Sequence, residues 1–269
     1  MHTSVKELFE ALWQHYLTVT PSALKIHDLL GGGEAIVNDH VAFRTFNHPK
    51  LGLNKLAAHF LALGYEQKGE YHFEAKKLYA RHYEHSDPDA PKVFISELLL
   101  EQCSPELQRI VAGLIDQADE HLAEREDFLY SGAPWRVSHA DYKTLLAESE
   151  YAAWLAVYGY RANHFTVSVN HLQHYDSLEA VNSALKQAGF RLNDAGGEIK
   201  GSPDVLLEQS STLADTALVT FTDGEAALPS CFYEFALRYP KPDGELYTGF
   251  VAASADKIFE STDAGRNES

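Results

Sequence analysis

Two histidines and one glutamate have the types and settings in this chain to hold a metal ion. His40 lies near the start of segment 39–46 (DHVAFRTF) and His164 near the start of 163–170 (NHFTVSVN), both rich in β-formers. Side chains at i, i+2 and i+4 of a strand share a face, so His40 stands with Ala42 and Arg44, and His164 with Thr166 and Ser168. Glu234 lies in 231–238 (CFYEFALR), on the face of Phe232, Ala236 and Arg238. A carboxylate flanked by Phe232, Tyr233 and Phe235 is costly to bury unless something neutralises it, and a divalent metal would do so. Two imidazoles and a carboxylate form a facial set that leaves positions open, a geometry suited to non-haem Fe(II) binding an α-keto acid and dioxygen together. Zinc passes no electrons to oxygen, because its d-shell is full. Arg44 could hold a substrate carboxylate, its planar fork fixing orientation as well as charge.

Each of these residues also has an ordinary structural use. A strand histidine is commonly satisfied by a backbone carbonyl. Glu234 could pair with Arg238 or Arg44 as a structural ion pair, and Arg44 could be a structural bridge. The combination favours a site, because the two histidines occupy equivalent places in what reads as a repeated unit.

That unit is a strand followed by a helix and further strands. Segments 53–63 (LNKLAAHFLAL) and 178–188 (LEAVNSALKQA) read as helices closed by Gly64-Tyr65 and Gly189-Phe190. Histidine to glycine spans 24 residues in the first copy and 25 in the second. Strand-like segments follow, 76–84 and 93–100 in the first copy and 205–209, 217–222 and 231–238 in the second. Glu97, in FISELL, occupies a first-copy place resembling that of Glu234; a fourth ligand, an acid behind the ligands or a surface residue all stay open, and it is kept outside the ligand set. The unit used twice makes the fold class α+β, two strand–helix–strand modules with a helical insertion between them.

The expected organisation is a single metal-enzyme domain. It comprises an N-terminal helical segment (1–34), a first module (35–100), a helical insertion (101–160), a second module (161–255) and a tail (256–269). A helix is expected over 4–19, and the cluster at 31–33 reads as a turn, since it lacks the Lys and Ser/Thr of a phosphate-binding loop. The insertion has helical periodicity in 105–118 and 142–158; it could cap the site or build an oligomer contact such as a homodimer. The end of the tail, 261–269 (STDAGRNES), is small and polar and is expected to be loose.

Composition excludes some partners. With 39 acidic against 22 basic residues, the formal net charge of −17 argues against nucleic acid and anionic membrane surfaces. No apolar run is long enough to span a bilayer, and 1–7 (MHTSVKE) leads into an amphipathic stretch rather than a secretion signal. Cys103 and Cys231, far apart, fit a reducing compartment, so a cytoplasmic location is expected. Of the 14 histidines, His48, His59, His72, His82, His85, His121 and His174 sit in polar or helical surroundings that suit a solvated imidazole.

A doubled unit with ligands from both copies resembles the vicinal oxygen chelate superfamily, which implies that the two modules form a curved sheet around a metal site. Segments 39–46, Asn163-His164 and 233–238 (YEFALR), with 209–212 (QSST) and 221–224 (FTDG), look more specifically like the 2-oxoadipate dioxygenase/decarboxylase family, over roughly residues 35–250. The resemblance implies an Fe(II) enzyme converting 2-oxoadipate and dioxygen to 2-hydroxyglutarate and carbon dioxide. His40, His164 and Glu234 match the family's metal ligands, and Arg44 matches its substrate-carboxylate arginine. The keto acid would chelate iron through its carboxylate and keto oxygens and be decarboxylated and hydroxylated in one pocket, as in 4-hydroxyphenylpyruvate dioxygenase. Better-known members of that family are longer than this sequence. Two other readings remain: a hydrolase or isomerase using Zn(II), Ni(II) or Mn(II) on the same scaffold, and a protein that binds a small acid without turning it over.

Overall fold

Leu8, Leu12 and Tyr16, four apart, give helix α1 (Val5–Leu17) one buried face, and Ser4 caps it by accepting from the Glu7 amide. A computed structural model describes residues 2–262. A second helix, α2 (Pro21–Gly31), follows, and Gly32 ends it in the left-handed region at φ 57°. The chain then enters β1 (Asn38–Phe46), α3 (Leu53–Leu61), β2 (Glu66–Phe73), β3 (Leu78–Glu84) and β4 (Lys92–Leu98). The insertion contains α4 (Pro105–Ile115), α5 (His139–Glu148) and α6 (Glu150–Tyr158); Ser149 breaks the last two apart and caps α6. The second half runs β5 (Ala162–Ser168), α7 (Leu178–Gln187), β6 (Lys200–Ser202), β7 (Leu207–Ser211), the strands β8 (Thr216–Phe221) and β9 (Gly224–Pro229), then β10 (Phe232–Arg238) and α8 (Ala252–Ile258).

Eight strands form one sheet in the order β2-β3-β4-β1-β5-β10-β7-β6. Outward from its centre each half has the same plan: β4 lies parallel to β1 as β10 lies parallel to β5, with two antiparallel strands beyond. Helices α3 and α7 also end alike. Gly64 and Gly189 adopt φ of 93° and 89°, and the next amides, Tyr65 and Phe190, reach back to the carbonyls of Phe60 and Leu185 at 3.1 and 3.0 Å.

One face of the sheet is apolar core. Val41, Phe43, Phe165 and Phe235 are buried there, with Trp13 of α1 edge-on to Phe165 and Phe60 of α3 against Phe43. The other face carries the polar residues described below, and α6 and the chain beyond β10 cover it.

Several expectations are corrected. Segment 217–222 is a strand, but it pairs only with β9 as a separate hairpin, because the turn at Thr222-Asp223 folds it on itself. Strands 66–73 and 200–202 were not expected: the first is a mostly exposed polar edge without apolar alternation, the second three residues long. His59 and His82 are buried, not solvated; His59 Nε2 bonds the Ala123 carbonyl, and His82 lies between Tyr71 and Glu84. Ser261 and Thr262, expected to be loose, are buried and bonded into the sheet side, while 263–269 lie outside the described residues.

Candidate metal centre

The antiparallel register of β1 and β5 brings the two histidines together. His40 faces Thr166, Val41 faces Phe165, and Ala42 faces His164, so a local twofold through the Val41–Phe165 pair exchanges the histidines. Their side chains share the polar face, with ring centroids 5.7 Å apart. Glu234 lies across from Thr166 on the neighbouring strand β10 and points to the same place. Donor atoms of His40, His164 and Glu234 all lie within 4.8 Å of one another, and all three residues are buried.

The outer ring nitrogens are each fixed by a neighbour. His40 Nδ1 donates to Asp39 Oδ1 at 2.7 Å, and His164 Nδ1 donates to Asn163 Oδ1 at 3.0 Å. With Nδ1 protonated, each Nε2 presents a lone pair inward. Glu234 Oε1 lies 3.5 Å from His40 Nε2, and Oε2 lies 3.1 Å from His164 Nε2. The amide of Gln209, on β7, donates to Oε1 at 2.6 Å, while Oε2 is buried without a hydrogen-bond partner among the described residues.

Electrostatics at this cluster ask for a cation. Burial raises the Glu234 carboxyl, but His40 and His164 outweigh it and hold it below the usual range. Burial pushes His164 the other way, toward the neutral ring, against the pull of Glu234. These two directions conflict if the pair is to share a proton. With both groups lowered, the cluster holds an ionised Glu234 beside a neutral His164, which leaves a buried negative charge in need of a counterion. Asp39 adds none: burial raises it, but the Arg238 fork at 2.6 and 2.9 Å and His40 hold it well below the carboxylate range, as a paired ion. The donor set, the inward lone pairs and the orphaned carboxylate oxygen fit a divalent metal.

Arg44 shares the face, two positions along β1 from Ala42. Its guanidinium lies 5.0, 4.9 and 5.7 Å from the rings of Tyr151, Trp154 and Phe259. Nη2 donates to Thr262 Oγ1 at 3.0 Å, Nη1 stands 3.5 Å from Glu150 Oε1, and Nε has no hydrogen-bond partner among the described residues. Phe250 closes over His40, their rings 4.8 Å apart and nearly perpendicular, and Phe232 stacks on His164 at 4.5 Å.

Glu97 is not the first-copy counterpart of Glu234. Ala42 pairs with Phe94 as Thr166 pairs with Glu234, so Phe94 holds that place, and Glu97, three residues on, points to the opposite face. There Glu97 Oε2 accepts from the Leu53 amide at 2.9 Å, supplying the cap that Gly52 cannot give α3. Glu97→Ala should therefore cost about 1 kcal/mol of stability by thermal unfolding, while Glu97→Gln, still an acceptor, should be near neutral. Neither should change metal content by elemental analysis. Glu234 likewise pairs with neither arginine, since Arg238 is taken by Asp39. Sequence reasoning missed Asp39, Asn163 and Gln209 as partners of the candidate ligands; adjacency of Asp39 and Asn163 to the histidines was the available signal.

The family model for 2-oxoadipate dioxygenase/decarboxylase matches residues 3–241. This chain belongs to that family. It is 38% identical to the Oryza sativa protein named 2-oxoadipate dioxygenase/decarboxylase, chloroplastic/amyloplastic, over 92% of this chain and 75% of that one. A crystal structure of hydroxyglutarate synthase from Oryza sativa in complex with 2-oxoadipate superposes with a TM-score of 0.90 at 36% identity, covering 98% of this chain and 93% of that one. A Shewanella frigidimarina structure that carries a provisional hydrolase name reaches 0.91 at 62% identity, over 94% of this chain and 100% of that one. A Ralstonia eutropha protein provisionally assigned to the glyoxalase superfamily shares the fold, with a TM-score of 0.76 at 24% identity over 92% and 86% of the two chains. The fold class is thus the α+β, doubled-module arrangement of the vicinal oxygen chelate proteins. No helix among the described residues is long and apolar enough to cross a membrane.

Proposed function

We propose that this protein is an Fe(II)-dependent dioxygenase that decarboxylates a 2-oxo acid, with 2-oxoadipate as substrate and 2-hydroxyglutarate and carbon dioxide as products. The observation that carries the reading is the broken symmetry at the centre. His40 and His164 are matched across the local twofold, but Glu234 is matched by Phe94, so among the described residues the donors number three and the first-module side lacks a fourth. Ala42 pairs with Phe94 on that side, and Arg44 lies two residues further along the same face of β1. The bound 2-oxoadipate in the Oryza relative supports the choice of acid.

Fe(II) held by His40, His164 and Glu234 would supply the electrons that activate dioxygen and a Lewis acid for the 2-oxo carboxylate end. The chain's own residues do the rest. Asp39 and Asn163 keep the Nδ1 protons outward, and Gln209 fixes the carboxylate of Glu234. Arg44 receives the remote carboxylate through donors its present partners leave free. Phe94, Phe232 and Phe250 wall the site and exclude water, which strengthens each charged contact within it. All atoms of 2-oxoadipate and dioxygen appear in 2-hydroxyglutarate and carbon dioxide, so no further reductant is needed. A cytoplasmic location belongs to the same proposal, supported by two buried free cysteines; the Oryza relative is instead named for plastids.

Protein loaded anaerobically with Fe(II) should consume oxygen and release carbon dioxide in equal amounts when given 2-oxoadipate, as read by an oxygen electrode and carbon dioxide trapping. Zinc-loaded protein should do neither. Uptake at the no-substrate rate across a panel of 2-oxo acids would count against the proposal, and zinc-restored turnover without oxygen would favour the redox-inert alternative.

A further inference from the structure

Arg44 is held loosely for a buried guanidinium. One full hydrogen bond goes to Thr262, the contact to Glu150 is stretched to 3.5 Å, and Nε is unpartnered among the described residues. Arginine in such surroundings ordinarily meets a carboxylate through a planar, two-pronged pair. Glu150 does not make one. Its side chain is 26% exposed against 1% for Arg44, and it lines a surface cleft with Lys76, Lys77, Tyr151 and Phe259. It therefore stands between solvent and Nη1. Both lysines of the cleft have other carboxylates, Asp256 at 3.7 Å and Glu148 at 3.0 Å, so the cation beneath Glu150 is Arg44.

Resting on the reading that Arg44 receives the remote carboxylate of the 2-oxo acid, we propose that Glu150 is an internal competitor for Arg44. It leans on Nη1 in the absence of substrate and gives way when an incoming carboxylate makes the two-pronged pair. Its charge thereby sets how strongly dicarboxylic 2-oxo acids are preferred over monocarboxylic ones. The insertion gains a role at the same time, since α6 carries Glu150, Tyr151 and Trp154 to one side of the guanidinium. A purely structural clamp predicts the opposite sign: without Glu150 a clamped Arg44 would lose orientation, and binding would weaken.

Glu150 is the first residue of α6, where Gln is tolerated with a small loss of helix-dipole stabilisation, so Glu150→Gln should fold. Anaerobic calorimetry on metal-loaded holoenzyme should show Glu150→Gln binding 2-oxoadipate roughly fivefold tighter than wild type, the size expected for removing a partly solvated like charge. Binding of 2-oxohexanoate, which lacks the second carboxylate, should stay within about twofold, and Glu150→Asp should stay near wild type for both acids. Weaker or unchanged 2-oxoadipate binding in Glu150→Gln, or equal tightening for both acids, overturns the proposal. Equal affinity of the wild type for the two acids overturns the role given to Arg44, and this inference with it.

Discussion

Protein carrying Glu234→Ala, purified without chelators, should retain less than about a tenth of the wild-type iron and lose 2-oxoadipate-dependent oxygen uptake. The reasoning is electrostatic. Glu234 is the charged member of a buried trio whose His164 is pushed toward neutrality, and its Oε2 has no hydrogen-bond partner among the described residues. Remove the carboxylate and the two imidazoles remain as neutral donors, without the charge that repays dehydration of a dication. Stability should separate this role from a packing role. In metal-free protein Glu234→Gln keeps the shape and removes a desolvated charge, so its unfolding temperature should match or exceed that of the metal-free wild type. Metal at a hundredfold excess over its Kd should stabilise the wild type by about 2.7 kcal/mol, roughly 5–10 °C in a chain of this size, and should leave the variant unmoved. An equal metal-induced rise in both proteins would remove Glu234 from the ligand set. His40→Ala should repeat the loss of metal.

Why the trio could be read from sequence, and its supports could not, follows from register. Period-two alternation tells which side chains share a face of one strand, and the matched histidines told which strands were equivalent. Pairing between strands is not in that pattern. Glu97 illustrates the cost: in sequence it resembles Glu234, yet the β1–β4 ladder sets Phe94 opposite Ala42, and a shift of three residues puts Glu97 on the other face as a helix cap. The polar edge strand 66–73 escaped notice for a related reason, since its inner face carries only Gly69, Tyr71 and Phe73 and gives little apolar alternation. His82 looked solvated because its burial comes from Phe250, far away in sequence. Residues 261–262 looked loose because small polar side chains give no hint that Arg44, Asn193 and Ser211 bind them from the sheet side.

Arg238→Met tests the support behind His40, and the second module provides its internal control. Arg238 is 4% exposed; its fork grips Asp39 through Nε and Nη2, while Nη1 donates to the carbonyls of Tyr247 and Gly249 at 3.0 and 2.8 Å. Removing it leaves the Asp39 carboxylate buried with only His40, so unfolding in urea should show a loss of about 3–5 kcal/mol. Metal affinity should fall roughly 10- to 100-fold, because Asp39 keeps the Nε2 lone pair of His40 inward. The pH dependence has a definite sign. Asp39 is held well below its unfolded value, so its contribution is complete above the ordinary carboxylate range near about pH 4 and fades as pH falls toward the folded value. Without Arg238 that depression shrinks, and acid unfolding should begin at a higher pH. Across the local twofold, Asn163 does for His164 what Asp39 does for His40, with no arginine bonded to it among the described residues. Asp39→Asn combined with Arg238→Met copies that neutral arrangement into the first module and should recover most of both losses. Recovery of metal affinity without stability would assign the deficit to the lost bonds to Tyr247 and Gly249, which pin the segment carrying Phe250 over the site.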